Sequence, residues 1–243
     1  LRRQRQMCIR DSINMVDSKG VQLGFAQNDI VYYAYNGIKM FEQKQKSSLR
    51  GIATLYPEVV HLILRSDSQV NDFPGLAGKK VVLGAEGSGT AINAEQILKA
   101  YGIYDEIEPV YLTFDEAVDQ LSKGNVTAAF LTIGIPGKAI TDLAEKTGVK
   151  ILPISQEVIE KLKKDYPFYI GITIPSNTYE GEPNERKTVA VRAMLVTYQD
   201  MDPDLVYELT QAIYSHLDVL AEAHPKGEII SSETSLEGMP IPL

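Results

Sequence analysis

The sequence predicts an α/β protein in which strands and helices alternate around a mixed, mainly parallel sheet covered on both faces. Three observations predict it. Short apolar runs such as VVHLILR, KVVLG and TAAFLTI recur along the chain, each long enough for one buried strand. Between them lie stretches with helical spacing, for example TAINAEQILKAYG and KAITDLAEKTG, which end at a glycine. The turns are short and rich in Gly and Pro, the arrangement that packs helices on both faces of a parallel sheet. The composition agrees: 243 residues, 44% hydrophobic and 23% charged, are ordinary values for a globular chain with a sizeable core. A net charge of −8 opposes a nucleic-acid or anionic-membrane surface, since both select basic faces. No run approaches the roughly 18 apolar residues of a membrane span.

The elements follow in order. Residues 1–12, LRRQRQMCIRDS, hold four arginines and the single cysteine, Cys8, and show no apolar period. They read as a non-native leader or a basic targeting arm and are set aside. The remainder has no cysteine, which suits an oxidising compartment. Residues 13–27 lead into a short strand, VQLGFAQ, and IVYYAYNG is a helix stopped at Gly37. Asp29 suits an N-cap. Gln27 and Asp29 either end the strand and cap that helix or form a binding edge, with Tyr32, Tyr33 and Tyr35 as amphipathic walls. Residues 42–50 are polar and solvated. A strand follows Tyr56-Pro57 with His61 in its middle, where a lone histidine is a hydrogen-bonded core residue. The turn-rich segment around Gly75–Gly78 marks a lobe boundary.

Residues 80–102 form the centre of the reading. Val81, Val82 and Leu83 make a buried strand, and Gly84, Gly87 and Gly89 make a turn with Ser88 and Thr90. Ile92, Ile97, Leu98 and Tyr101 line one face of the helix that follows. A Gly-rich turn entering a helix presents free backbone N–H groups and two hydroxyls, a receptor for anions that needs no basic side chain. Thr113 and Glu116 form a capping box. Beyond it come a strand running into Gly134 and Pro136, a helix, the strand KILPI, the helix EVIEKLKKDY and the apolar run FYIGITIP. Val189, Val191, Ala193 and Leu195 alternate as a strand does. Asp202-Pro203 opens a final helix whose Leu205, Leu209, Ile213, Leu217 and Leu220 form a core-facing stripe.

The catalytic inventory is thin. GAEGSGTA lacks the lysine of a nucleotide-phosphate loop and the third glycine of a dinucleotide fingerprint. Ser88 has no nucleophile-elbow context. No metal-binding motif is present, and His216 and His224 stand eight apart, which is no metal spacing. Lys79 and Lys80 precede the strand and belong to its far end. No metal and no cofactor are expected, and binding is favoured over catalysis.

A set of segments in one order carries a resemblance over nearly the whole chain: VQLGFAQND, LYPEVVHLILR, GLAGKKVVLGAEGSGTAINAEQILKAYGI, FLTIGIP, IPSNTYEG and LVTYQDMDPDLVYELTQAIY. Together they resemble the TAXI family of solute-binding proteins from tripartite (TRAP) transporters. The resemblance implies a two-lobed, periplasmic binding protein type II-like fold with a hinged cleft. Lobe 1 would comprise residues 13–77 and 173–243, and lobe 2 residues 78–172. It implies a monomeric, non-enzymatic, periplasmic receptor that takes a small anionic solute, such as glutamate, glutamine or a dicarboxylate, and delivers it to TRAP membrane subunits. Carried over by position, the ligand-binding residues would be Gln27, Asp29, Ser88, Gly89, Thr90, Gly134 and Pro136, with Tyr33, Tyr56 and Tyr179 beside them. The family's leader and first Gly- and Tyr-rich strand-turn-helix are not matched, nor is its closing His-Pro-Gly segment, so the chain reads as a fragment truncated at both ends. Two other readings share the architecture: a ligand-binding domain of a sensor, and a transferase for phosphorylated substrates. The second would require a basic cluster at the turn.

Overall fold

The structure is a computed structural model of the chain and describes residues 9–223 and 225–243. Of the expected leader, residues 1–8 lie outside the described residues, as does His224. In chain order the elements are α1 (Ile9–Asp17), β1 (Gly24–Gln27), α2 (Asn28–Asn36), β2 (Leu49–Arg65), β3 (Lys80–Gly84), α3 (Gly89–Tyr101), β4 (Glu108–Tyr111), α4 (Phe114–Ser122), β5 (Ala128–Ile133), α5 (Lys138–Thr147), β6 (Val149–Ile151), α6 (Gln156–Asp165), β7 (Ile170–Ile174), β8 (Arg186–Tyr198), α7 (Pro203–Ser215) and α8 (Leu217–Ala223). The eight strands form one mixed sheet with the order β1-β8-β2-β5-β3-β4, β6 joining β2 and β7 joining β8.

The chain divides into two compact units. One holds the described residues up to Pro57 with Val191–Leu243; the other is Glu58–Ala190. The long strands β2 and β8 each run from one unit into the other. The two units divide within these strands, at Pro57/Glu58 and Ala190/Val191.

In the Glu58–Ala190 unit, β3 pairs in parallel with β4 on one side and with β5 on the other. The antiparallel pairings β2–β5, β2–β6 and β7–β8 surround this parallel centre. Val59, Ile63, Val82, Leu131, Leu143 and Ala190 are among the buried side chains of its core. Both faces of β5 are buried because helices lie on each side, which is why its residues read as a continuous apolar run rather than an alternation. The capping box expected at α4 is present: Thr113 Oγ1 accepts from the Glu116 N–H, and the Glu116 carboxylate accepts from the Thr113 N–H at 2.9 Å. That contact holds the Glu116 carboxyl below its usual range.

In the other unit, β1 pairs antiparallel with β8, Gln27 opposite Ala193. Three features differ from the sequence reading. Residues 9–17 are helical, with Ile13 and Val16 fully buried; two apolar positions three apart are too few to register as a period. Asp29 is not the N-cap of α2. Gln27 holds that place and Asp29 lies in the first turn, fully buried, where a carboxylate still complements the helix dipole. The final helix breaks at His216, whose backbone leaves the helical region, and its apolar stripe is only half buried. Leu209 and Ile213 face an apolar hollow of about 400 Å³ that Leu23, Phe25 and Leu195 also line.

Candidate functional site

The three parallel strands β4, β3 and β5 each feed a helix, so the N-termini of α4, α3 and α5 lie at the carboxyl edge of the same sheet segment. In open α/β sheets this is the edge where ligands bind. The helices differ in what they bring to it. The first turn of α4 carries Asp115 and Glu116 and is closed by its own capping box. The first turns of α3 and α5 carry no acidic side chain. Their positive dipole ends are therefore not compensated from within the helix.

The β3–α3 turn is built by close packing. Gly84 has φ +111°, and a Cβ there would lie 2.9 Å from Thr90 Cβ and 3.1 Å from Ser88 Oγ. Only glycine lets the strand end and the helix start approach so closely. Gly87 has φ +73° and open space where a Cβ would stand. Ser88 is the N-cap of α3; its hydroxyl accepts from the Ala91 N–H at 3.2 Å, and its own N–H donates to the Ala85 carbonyl at 3.0 Å. The N–H groups of Gly89 and Thr90 have no intrahelical acceptor, as in the first turn of any α-helix. Ser88 and Gly89 are half-buried, and the Thr90 side chain is buried beneath them.

The neighbouring turn, Gly134–Gly137, leaves β5 through a cis Ile135–Pro136 peptide and ends at the N-cap of α5. It is held from behind. The Gly137 N–H donates to Tyr179 Oη at 2.9 Å, and Tyr179 Oη lies 3.1 Å from His61 Nε2. His61 Nδ1 lies 2.9 Å from the Val59 carbonyl. A carbonyl can only accept, so Nδ1 carries the ring proton and Nε2 accepts the Tyr179 O–H. Every polar atom of this chain is thereby paired, and Tyr179 is 3% exposed. Burial pushes the Tyr179 hydroxyl up to about 12 and His61 down to about 4, so both are neutral near pH 7.

A second buried chain joins the end of β5 to α3. Thr132 Oγ1, near the end of β5, donates to Asn93 Oδ1 in α3 at 3.3 Å. Asn93 Nδ2 donates to Tyr169 Oη at 3.0 Å, and Tyr169 donates to Gln96 Oε1 at 2.7 Å. Sequence reasoning missed this network. Its signal was two amides three residues apart, Asn93 and Gln96, on the helical face that also carries Ile97.

In the other unit, Gln27, Asn28 and Asp29 sit at the β1–α2 junction and are buried. Asn28, not singled out from the sequence, is the anchor: its Oδ1 accepts from the Arg192 N–H at 2.9 Å and its Nδ2 donates to the Gly238 carbonyl at 2.8 Å. Tyr33 is a core residue, 1% exposed. Tyr56 lines an apolar cavity of about 430 Å³ with Phe25, Leu55, Leu195 and Ile213, and the Lys226 ammonium stands 4.5 Å from its ring centre. Of the ten candidate residues, Ser88, Gly89, Thr90, Gly134 and Pro136 thus share one sheet edge, and Tyr179 supports that edge from within. Lys80 opens β3 at the opposite end of the strand. Lys138, at the start of α5, is paired with Asp142 at 2.8 Å. Among the described residues no group of three or more His, Cys, Asp and Glu side chains is placed to hold a metal ion, and no helix is long and apolar enough to cross a membrane.

The neutral His61 gives the protein a pH-dependent stability. In the unfolded chain this ring takes its proton near pH 6.5, and in the folded one only near 4. The stabilisation is therefore complete above about pH 6.5 and falls as pH drops towards 4, by up to about 3 kcal/mol. Urea unfolding of the wild type between pH 4.5 and 7 is expected to show this slope, and His61→Gln to flatten it. Equal slopes would show that His61 is not the group responsible.

The fold has solved counterparts. The chain is similar to the periplasmic aliphatic sulphonate binding protein SsuA of Escherichia coli, with a TM-score of 0.59 and 14% identity over 97% of this chain and 67% of that one. It is also similar to the alkanesulfonate-binding protein SsuA of Xanthomonas axonopodis pv. citri bound to MOPS, with a TM-score of 0.52 and 13% identity over 90% of this chain and 62% of that one. A TctC solute binding protein from Polaromonas matches with a TM-score of 0.51 and 14% identity, over 96% of this chain and 72% of that one. These likenesses show the fold, a mixed α/β architecture shared with solved solute-binding proteins. A model of the NMT1-like family matches residues 6–243, and the chain belongs to that family.

Proposed function

We propose that the chain is an extracytoplasmic solute receptor of the TAXI type, which binds a small anionic organic solute and hands it to the membrane subunits of a TRAP transporter. The observation that carries the reading is the pair of helix N-termini, α3 and α5, at one sheet edge without an acidic residue in either first turn. Free N–H groups and two dipole ends favour a carboxylate or sulfonate there. The ordered likeness of the sequence to TAXI receptors selects the transporter class, and glutamate, glutamine and C4–C5 dicarboxylates are the leading solutes. Two of the solved counterparts are sulfonate binders, which accords with an anionic ligand. Binding is favoured over catalysis because the lysines near the two turns in sequence do not gather into a basic cluster: Lys80 opens the far end of β3, and Lys138, at the start of α5, pairs with Asp142.

A thermal-shift panel of glutamate, glutamine, succinate, 2-ketoglutarate and a short alkanesulfonate tests it. A solute at about 100 times its Kd adds about 2.7 kcal/mol, which is about 5–10 °C for a chain of this size. A melting temperature unmoved by every member of the panel would end the anion-receptor reading.

A further inference from the structure

Behind the Gly134–Gly137 turn stand two rings closed to solvent, those of Tyr179 and His61. We infer that Tyr179 and His61 are positioning residues: they fix the Gly137 N–H and with it the aim of the α5 N-terminus, without contacting the solute. This rests on the reading of that edge as an anion seat, and it moves Tyr179 from ligand contact to support.

The geometry leaves little choice of role. Tyr179 is 3% exposed and His61 is fully buried. The Tyr179 hydroxyl uses its acceptor for the Gly137 N–H and its proton for His61 Nε2. His61 uses its remaining nitrogen on the carbonyl of Val59, inside β2, whose Val59 lies opposite Ile133 at the end of β5. The chain therefore runs from the sheet backbone through two rings to the first residue before α5. The two rings also meet edge to face, with centroids 5.7 Å apart, a preferred aromatic geometry. Gly137 has no room for a side chain: a Cβ there would lie 2.9 Å from Ile133 Cγ2 and 3.2 Å from the Gly134 carbonyl. Gly137 has no side chain with which to cap α5 and no capping bond of its own. Its N–H points back into the protein, and its carbonyl accepts from Ile140 and Thr141 at 3.0 and 2.9 Å. The N–H groups of Lys138 and Ala139 have no intrahelical acceptor, which makes them the donors an anion would meet.

Two variants separate positioning from general support. Tyr179→Phe removes one oxygen and leaves the Gly137 N–H without its acceptor. Thr188→Val removes a comparable buried bond, from Thr188 Oγ1 in β8 to the Val60 carbonyl in β2 at 2.6 Å. Hydrogen exchange at the Gly137 amide and calorimetry with the best solute of the panel are read on both. Tyr179→Phe is expected to speed Gly137 exchange at least tenfold relative to the wild type and to weaken solute binding at least tenfold. Thr188→Val is expected to lower the melting temperature similarly, with Gly137 exchange and affinity within twofold of the wild type. Gly137 exchange unchanged in Tyr179→Phe, or equal affinity losses in both variants, overturns the positioning role. A wild type that binds no solute overturns the anion seat instead, while the exchange comparison still decides whether Tyr179 holds the turn.

Discussion

Glu237→Ala is expected to destabilise the protein by about 3 kcal/mol, although its side chain is half-exposed. The reason lies in Arg192. Its side chain is only 4% exposed, and its guanidinium meets Glu237 Oε2 at 2.6 Å. Nη2 donates to the Leu55 carbonyl and to Thr234 Oγ1, both at 3.1 Å. Burial lowers the pKa of this group, and Glu237 is the charge that opposes the loss. Arg192 is the buried member of the pair, and stripping a buried charge of its partner costs up to about 3–5 kcal/mol. The carbonyl and hydroxyl partners that remain place the expected value at the lower end. The damage extends beyond the pair, because this contact holds the closing segment onto β2. Thr54 donates its N–H to Ser235 and its hydroxyl to Thr234 and Glu237 carbonyls, and Gly51 donates to Pro242. A shift of about 6–12 °C in melting temperature follows for a chain of this length. An Arg192→Met, Glu237→Leu double variant should recover much of it, since an apolar pair of similar volume carries no desolvation cost. If Glu237→Ala melts within about 2 °C of the wild type, Arg192 is solvated in a way that its burial excludes.

Gly84→Ala is expected to abolish measurable solute binding and to cost about 3 kcal/mol of stability. A side chain at φ +111° is strained by roughly 1–3 kcal/mol. The added Cβ also meets Thr90 Cβ at 2.9 Å and Cγ2 at 3.0 Å, in a side chain that is buried and cannot swing away. The turn must open, and the Gly89 and Thr90 N–H groups move with it. Gly87→Ala is the matched comparison. It shares a positive φ but has nothing within 4 Å of the new Cβ, so only the backbone penalty of roughly 1–2 kcal/mol remains. Calorimetry and melting of the two variants should therefore separate: binding lost at Gly84, retained within tenfold at Gly87. Equal binding by both would show that the close approach at Gly84 is not what aims the turn.

How far these features were legible follows from what each depends on. The strand, turn and helix at 80–102 could be read because local rules agree there: an apolar run, glycines at positive φ, a serine cap and a glycine stop. The α4 capping box is likewise a four-residue pattern. The support behind the second turn could not be read. His61 and Tyr179 are 118 residues apart, and only the packing of β2 beside β5 brings them to one amide. His61 itself was legible as a core histidine, but not its partner. Tyr56 and Tyr33 show the opposite failure. Their positions near candidate edges in sequence said nothing of side-chain direction, and the fold turns one into an apolar cavity and the other into the core. The final helix carried a clear apolar stripe, yet periodicity records which face is apolar and not how fully it is covered.

The central claim is that the first turns of α3 and α5 receive the anion. Amide chemical shifts of the ¹⁵N-labelled protein, followed during titration with the tightest-binding solute of the panel, test this most directly. The expected result is that the largest changes fall at Gly89, Thr90, Lys138 and Ala139, and that they saturate together. Saturable changes confined to residues around Phe25, Tyr56 and Ile213, with those four amides unmoved, would contradict it and place the ligand in the apolar cavity.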